Sequence, residues 1–174
     1  EVNMGKAGWC AMLLAGLILC SCVTPVLQRS FMDRGKRNPD LAELVANPSG
    51  HLGQLFVFGG IIASTTVTRD GSLVEAVYVP VDRYGDLQDT PALSRRFLAL
   101  YREGVLDPVI YSPGRRITLA GTFTEARPGK LGEMEYIFPF FQVSEIYLWP
   151  KEPMVYYYVP APYYLPYPWH RPWY

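Results

Sequence analysis

The segment from Leu55 to Thr68 constrains the fold more than any other part of the chain. It is rich in the β-branched and aromatic residues that favour strands, and the adjacent Gly59 and Gly60 interrupt it. Glycines inside a strand weaken it, so they usually mark a bulge or a sharp bend. Asp70-Gly71 is a strong hairpin signal. The pattern predicts a long, bent first strand. The chain then reverses at Asp70-Gly71 and forms a second strand from Leu73 to Val81.

Three further strands are predicted downstream. Arg95 to Tyr101 fits a strand or a short helix, and a strand is favoured because both flanks are loop-like. Alternating polar and apolar residues from Arg116 to Thr124 predict a half-buried strand, with Gly121 on its inward face. Arg127-Pro128-Gly129-Lys130 predicts a turn, and the last strand is predicted from Tyr136 to Trp149.

Five strands with hairpins between successive pairs predict a mainly β domain, a small antiparallel five-stranded OB-like barrel. A bent first strand can pair on both sides of the closure, which leaves few exposed edges. A two-sheet sandwich remains an alternative. Gly59, Gly60 and Gly121 are predicted to be structural, because added side chains would strain the backbone or overpack the core.

A short N-terminal helix is predicted before the barrel. Asn38 has the chemistry of an N-cap, Pro39 suits the first helical position, and Asp40 is an acid in the first turn. Pro48 and Gly50 are expected to end this helix, whose apolar positions follow helical spacing: Leu41, Leu44 and Val45.

The motif Leu19-Cys20-Ser21-Cys22 is typical of the cleavage site of a lipoprotein signal peptide. Lys6 and an apolar run from Ala7 to Leu19 precede it, as in signal peptides, and the run is shorter than the roughly 20 residues of a spanning helix. We therefore expect residues 1–21 to be a signal peptide, and Cys22 to be the acylated residue that anchors the chain in membrane lipid. Residues 22–37, with no sustained period, are predicted to be a tether.

The composition excludes several classes of protein. All three cysteines lie at or before the expected cleavage site, so the domain cannot hold a disulfide framework or a cysteine metal site. Sixteen basic and sixteen acidic residues balance, which gives no electrostatic footprint for nucleic acid. The two histidines, His51 and His170, are far apart in sequence. We expect no metal and no cofactor.

No catalytic constellation is evident in the sequence. Ser94 and Ser112 lack a neighbouring base, and Gly59-Gly60 lacks the strand-turn-helix context of a phosphate loop. The acids that fall in predicted loops are expected to be turn formers: Asp82, Asp86, Asp89, Glu103 and Asp107. The chain is predicted not to be an enzyme, and a hydrolase with a site hidden from sequence reasoning is the least favoured alternative.

Residues 151–174 form a low-complexity tail in which prolines alternate with aromatic residues. Prolines at this spacing disfavour helix and sheet and favour extended polyproline II. The tail is expected either to pack across the barrel as a strap or to contact membrane headgroups, a glycan or an envelope protein. Its candidate contact residues are Tyr156, Tyr157, Tyr158, Tyr163, Tyr164, Trp169 and Trp173.

A series of short motifs, unspecific singly but in a specific order and spacing, resembles the Slp family of outer-membrane lipoproteins from about Asn47 to Trp149. After the lipobox at Cys22 come Phe58-Gly59-Gly60, Pro80-Val81-Asp82-Arg83-Tyr84, Arg96-Phe97-Leu98-Ala99, Gly104-Val105-Leu106-Asp107-Pro108, and Gly114 with Gly121. The resemblance implies a starvation- or stress-associated lipoprotein on the periplasmic face of a Gram-negative outer membrane. It supplies no catalytic residues.

Four segments are therefore expected: the signal peptide 1–21, the tether 22–37, the barrel domain 38–150 and the tail 151–174. The favoured function is a structural or envelope-stress-protective lipoprotein without catalysis. The alternative is a periplasm-facing module that binds a small ligand, glycan or peptide through the barrel groove or the tail.

Overall fold

The computed structural model describes residues 24–88 and 95–151 of the chain. Strands dominate this part of the chain, and two short α-helices and one 3-10 helix accompany them. The elements are α1 (Arg29–Arg34), β1 (Lys36–Arg37), α2 (Leu41–Ala46), the 3-10 helix (Pro48–Gly50), β2 (Leu55–Thr68), β3 (Gly71–Val79), β4 (Arg96–Tyr101), β5 (Arg116–Leu131) and β6 (Met134–Leu148).

Five of these strands close into a barrel in the order β2-β3-β4-β6-β5, and β5 pairs again with β2. The long β2 makes closure possible, because Gly59–Thr68 pair with β3 while Leu55–Ile61 pair with β5. β4 and β6 run parallel, whereas the other barrel pairs are antiparallel. The expected OB-like barrel is confirmed, and its one parallel pair makes the sheet mixed.

The bulge in β2 lies slightly beyond the glycine pair. The β2–β3 register shifts between Ile62 and Ser64, so Ala63 is the extra residue that bends the strand. Gly59 and Gly60 instead lie where β2 is hydrogen-bonded to β3 on one side and to β5 on the other. The prediction of a bent first strand was right in kind and wrong by about three residues in position.

Aromatic side chains fill the barrel interior. Phe58 lies at its centre, with its ring centroid 4.9 Å from that of Phe97 and 4.7 Å from that of Phe141. Two segments outside the strands add buried leucines to this interior cluster. One is α2, which precedes β2, and the other is the β4–β5 loop (residues 102–115), which follows β4. Because β2 and β4 run in the same direction, these two segments close opposite ends of the barrel.

The helix begins at a different cap from the one expected. Asp40, not Asn38, is the N-cap of α2, and its carboxylate accepts a hydrogen bond of 2.9 Å from the backbone N–H of Ala42. Asn38 has a positive φ of 54°. Its side-chain amide makes two hydrogen bonds of 2.8 Å with the backbone of Val81, so it ties the entry of α2 to the end of β3.

The expected turn at Arg127–Lys130 is also wrong, because these residues belong to β5. Pro128 pairs with Ile137 and Gly129 with Tyr136, and the chain reverses at Gly132, whose φ is +62°. Pairing between β5 and β2 ends at Thr122, so beyond that point β5 and β6 pair only with each other or with β4. We call the projecting hairpin, residues 125–140, the β5–β6 arm.

The second half of the expected tether is not a solvated linker. Leu27 and Met32 are buried in a second, outer cluster together with Val57, Val81 and Ala120. Val57 and Ala120 lie on the outer face of the barrel, since neighbouring residues of a strand point to opposite faces. The part of the expected tether from Val26 to Arg37 therefore belongs to the folded domain.

Candidate functional site

The predicted lipidation site and the predicted contact residues of the tail lie outside the described residues. Cys22 comes two residues before the first described position, and the tail is described only as far as Lys151. The described residues nevertheless define where each of these segments joins the barrel.

The N-terminal segment joins the barrel at Val26. The backbone N–H of Val26 donates a hydrogen bond of 2.9 Å to the carbonyl oxygen of Tyr84, and that of Gln28 donates one of 2.9 Å to a carboxylate oxygen of Glu145. Only Val23, Thr24 and Pro25 separate Cys22 from this first contact. The expected tether is thus reduced to a stalk of three residues.

The tail leaves the barrel next to the same region. The indole N–H of Trp149 donates to the hydroxyl of Thr118 over 3.0 Å, and that hydroxyl donates to the carbonyl oxygen of Gly85 over 2.9 Å. Thr118 is fully buried on the outer face of β5. Sequence reasoning missed this network, because a threonine in an alternating strand gives no sign that a loop will cover it.

Arg115, at the end of the β4–β5 loop, binds the backbone just before the tail. Its guanidinium donates to the carbonyl oxygen of Ile110 over 3.0 Å and to that of Trp149 over 2.8 Å. These bonds connect two segments that are distant in sequence, and no local motif signals them. They place the start of the tail against the end of the barrel that the β4–β5 loop closes.

The three predicted structural glycines lie where side chains have little room. A Cβ on Gly60 would be 2.9 Å from the ring of Phe97 in the interior, and one on Gly59 would be 2.0 Å from a methyl of Leu87 on the outer face. A Cβ on Gly121 would meet Phe141 at 3.2 Å. These distances support a structural role, and Gly60 has the least freedom because its neighbour is a buried ring.

An ion pair lies on the outer face of β3 and β4. The guanidinium of Arg96 contacts the carboxylate of Glu75 at 2.5 Å, and both side chains are partly exposed. On the neighbouring arm, Arg127 pairs with Glu125 and lies 3.6 Å from the ring centroid of Phe140. Both of these arginines are therefore paired with a carboxylate on the outer surface.

The β5–β6 arm carries an open pocket of about 600 Å³. The ring of Phe138 is buried beneath Gly129, since a Cβ on this glycine would approach that ring to 3.1 Å. Tyr136 packs edge-on against Phe138, and its hydroxyl accepts a hydrogen bond of 3.1 Å from the backbone N–H of Arg96. The lining residues are Pro128, Gly129, Lys130, Glu135, Tyr136 and Ile137.

Two of the acids predicted to form turns do so, and the described histidine lies near a glutamate of α2. Asp82 accepts hydrogen bonds from the backbone N–H groups of Tyr84 and Asp86, and Asp107 accepts one from Val109, as turn formers do. His51 lies 3.8 Å from Glu43. Within residues 24–88 and 95–151, no three potential metal ligands cluster. Asp89, Ser94 and His170 lie outside the described residues.

Two tyrosines have perturbed acidities for structural reasons. Burial, with a smaller contribution from the nearby Asp40 carboxylate, raises the pKa of Tyr78 to about 12. Burial also raises the pKa of Tyr111. Because a raised pKa leaves almost no ionised tyrosine at neutral pH, neither side chain suits general-base catalysis.

Across the two described ranges, no helix combines the length and the apolarity that crossing a bilayer requires. The helices there, α1 and α2, have six residues each.

A small closed β-barrel that follows a sequence typical of a lipoprotein signal peptide indicates a lipoprotein, and comparison with known proteins identifies its family. A model of the Outer membrane lipoprotein Slp family matches residues 19–174, so the chain belongs to the Slp family. The match extends beyond the range Asn47 to Trp149 that the motifs had suggested, and it includes the lipobox and the tail.

Two curated relatives from Escherichia coli (strain K12) are similar along most of the chain. One is named Outer membrane protein Slp and is 27% identical over 85% of this chain and 77% of its own length. The other is named Uncharacterized lipoprotein YeaY and is 29% identical over 82% of this chain and 70% of its own length. The chain is thus an outer-membrane lipoprotein.

Proposed function

We propose that the chain is acylated at Cys22, faces the periplasm and protects the cell envelope under stress through its surface, without catalysis. The filled barrel interior is the observation that carries this proposal. The largest buried side chains of the described residues include five phenylalanines that pack together, so the barrel offers no internal chamber to a substrate: Phe56, Phe58, Phe97, Phe123 and Phe141. A domain of this kind acts through what its surface touches.

Acyl labelling in cells tests the anchor. Wild-type protein is expected to incorporate labelled fatty acid and to migrate at processed size, whereas Cys22→Ser should lose the label and accumulate as a larger precursor. Ser21→Ala is the matched control, because it keeps a small residue before the cleavage site. Labelling of Cys22→Ser at normal size would contradict the anchor.

Complementation tests the protective role. A strain that lacks the gene should survive starvation and envelope stress less well, and wild-type protein but not Cys22→Ser should restore survival. Equal survival of the deleted and the complemented strains would contradict protection. Restoration by Cys22→Ser would show that protection does not need the anchor.

The pocket on the β5–β6 arm supports a second candidate function, the binding of a glycan or a peptide. Tyr136 lines this pocket, and aromatic surfaces of this kind stack on sugars or prolines. Ile137→Ser should then weaken capture of peptidoglycan fragments or envelope peptides. Val67→Ser on the β2–β3 hairpin is the matched control, because the exposures of Ile137 and Val67 are 50% and 48%. Equal capture by both variants would exclude the pocket.

The tail is a further candidate for partner binding, through aromatic residues such as Tyr156, Trp169 and Trp173. A chain that ends at Lys151 should stay folded and should associate less with envelope proteins or glycan. If this truncation unfolds the domain, the tail is a strap that belongs to the core.

A further inference from the structure

The β4–β5 loop exposes three aliphatic side chains on an otherwise well-anchored segment. Val105, Val109 and Ile110 are 73%, 81% and 52% exposed. The loop itself is fixed, because Leu106 is buried in the interior cluster and its backbone N–H donates to the hydroxyl of Ser72 over 2.9 Å. An ordered loop that holds aliphatic side chains outward usually marks a contact surface.

A series of hydrogen bonds links this loop to the two places where the N-terminal segment and the tail join the barrel. Arg115 joins the carbonyl of Ile110 to that of Trp149, which lies two residues before the tail. Trp149 is joined through Thr118 to Gly85. The neighbouring Tyr84 accepts the hydrogen bond from Val26, where the N-terminal segment meets the barrel. The exposed loop, the tail and the stalk therefore belong to one continuous region of the surface.

The stalk is too short to hold the barrel away from a bilayer. Cys22 is four residues before Val26, and an extended chain spans at most about 3.6 Å per residue, so the two residues are separated by no more than roughly 14 Å. The acyl chains of a lipidated cysteine are buried in the bilayer, which holds the cysteine itself at the level of the headgroups. An anchor at Cys22 thus brings the surface around Val26 close to the headgroups.

We propose that the β4–β5 loop rests on the phospholipid surface into which Cys22 is anchored, with Val105, Val109 and Ile110 inserted among the headgroups. The proposal rests on the lipid anchor of the proposed function. It gives the barrel one orientation, with the loop toward the lipid and the end closed by α2 toward the periplasm. The tail, rich in Tyr and Trp, begins on the lipid side, where such residues are favoured.

Site-specific fluorescence in vesicles tests this orientation. Once Cys22 is acylated, the processed chain has no free thiol, so a single introduced cysteine can be labelled uniquely. Val109→Cys probes the loop. Leu52→Cys is the matched control, because Leu52 is 54% exposed and lies just before β2, at the opposite end of the barrel. Each lipidated full-length variant is reconstituted in phospholipid vesicles that carry a quencher on the lipid.

We expect the lipid-borne quencher to lower emission from position 109 about twofold or more and to leave position 52 nearly unchanged, because only the loop enters the headgroup region. Equal quenching at the two positions by the lipid-borne quencher would overturn the proposal. A second outcome would also overturn it: position 109 is protected from aqueous iodide, is not quenched from the lipid, and loses this protection when the chain is truncated at Lys151. That outcome would mean that the tail covers the loop. If wild-type protein fails to associate with vesicles, the anchor itself is wrong, and this proposal is overturned with it.

Discussion

The barrel interior and the outer cluster are two small cores that the chain builds by different means. The interior cluster is assembled by five strands, and its side chains come from alternate positions along each strand. The outer cluster is assembled by segments without regular period, the N-terminal segment and the loop after β3, which lie on β2 and β5. A strand pattern can therefore specify the first core, whereas the second depends on which irregular segment covers the barrel.

β2 shows the difference within two neighbouring residues. Phe58 points into the interior and Val57 points into the outer cluster, and both are fully buried. Every residue from Phe56 to Gly60 is buried, so this part of β2 has no polar face. A continuous apolar run of this kind is typical of a strand covered on both sides.

The largest effect is expected in the interior. Phe58→Ala removes a ring that touches two other buried rings, and such truncations cost about 3 to 5 kcal/mol of unfolding free energy. Thermal unfolding should show a Tm lower by roughly 10 °C or more in a domain of this size. Val109→Ala, at an exposed position, should leave the Tm unchanged. A small shift for Phe58→Ala would mean that the barrel is not the dominant core.

A second test adds volume to the interior instead of removing it. Gly60→Val should cost about 1 to 3 kcal/mol, because the new side chain must displace the buried ring of Phe97 or the neighbouring Ala76. Gly104→Val is the control, since a Cβ there would meet only the ring of Tyr101 at 3.6 Å. The measurement is the denaturant midpoint of both variants. Equal midpoints would show that the interior tolerates added volume at Gly60 and has room that the structure does not reveal.

The sequence was sufficient to predict the elements that local chemistry determines. The strands, the Asp70-Gly71 hairpin and the closed barrel follow from alternation, turn residues and the glycine pair. Two errors came from competing local signals: Asn38 has the chemistry of a helix cap but bonds Val81, and Pro128-Gly129 resembles a turn but continues β5. Each was decided by a partner outside the local motif, Val81 for Asn38 and Ile137 for Pro128.

The candidate sites were predictable only in part, for the same reason. Cys22 is marked by a local motif, whereas the bonds that bring the stalk and the tail to one region of the surface depend on Thr118 and Arg115. The burial of Leu27 and Met32 was missed because residues 22–37 show no helical or strand period. Irregular segments that cover a barrel have no periodic signature.

The outer cluster should respond to mutation locally. Leu27→Ala is expected to lower the free energy of local opening by about 2 kcal/mol while changing global stability by about 1 kcal/mol or less, because the barrel can stay closed when its cover loosens. Hydrogen exchange should speed up at Val26 and in α1 but not in β2 or β6. Leu52→Ala, at an exposed position, is the control. Uniform acceleration across the barrel would show that the two clusters form one cooperative unit.

The smallest effect concerns Tyr78, which packs against the interior cluster and lies near the Asp40 cap of α2. Its pKa of about 12 in the folded state lies above the ordinary tyrosine value of 10.0, so the folded chain keeps this proton where the unfolded chain loses it. The resulting stabilisation of the unionised form is complete below pH 10 and is lost as the pH rises from about 10 to about 12. Stability should therefore fall with pH in that window.

Tyr78→Phe should flatten part of this decline, because phenylalanine has no proton to lose. Tyr147→Phe, on the exposed outer face of β6, is the matched control and should leave the slope as in the wild type. The measurement is the urea midpoint between pH 9 and pH 12, where Tyr111, whose pKa is also raised, contributes equally to all three proteins. An unchanged slope in Tyr78→Phe would show that this hydroxyl is hydrated in the folded barrel, and that the interior cluster does not extend to Tyr78.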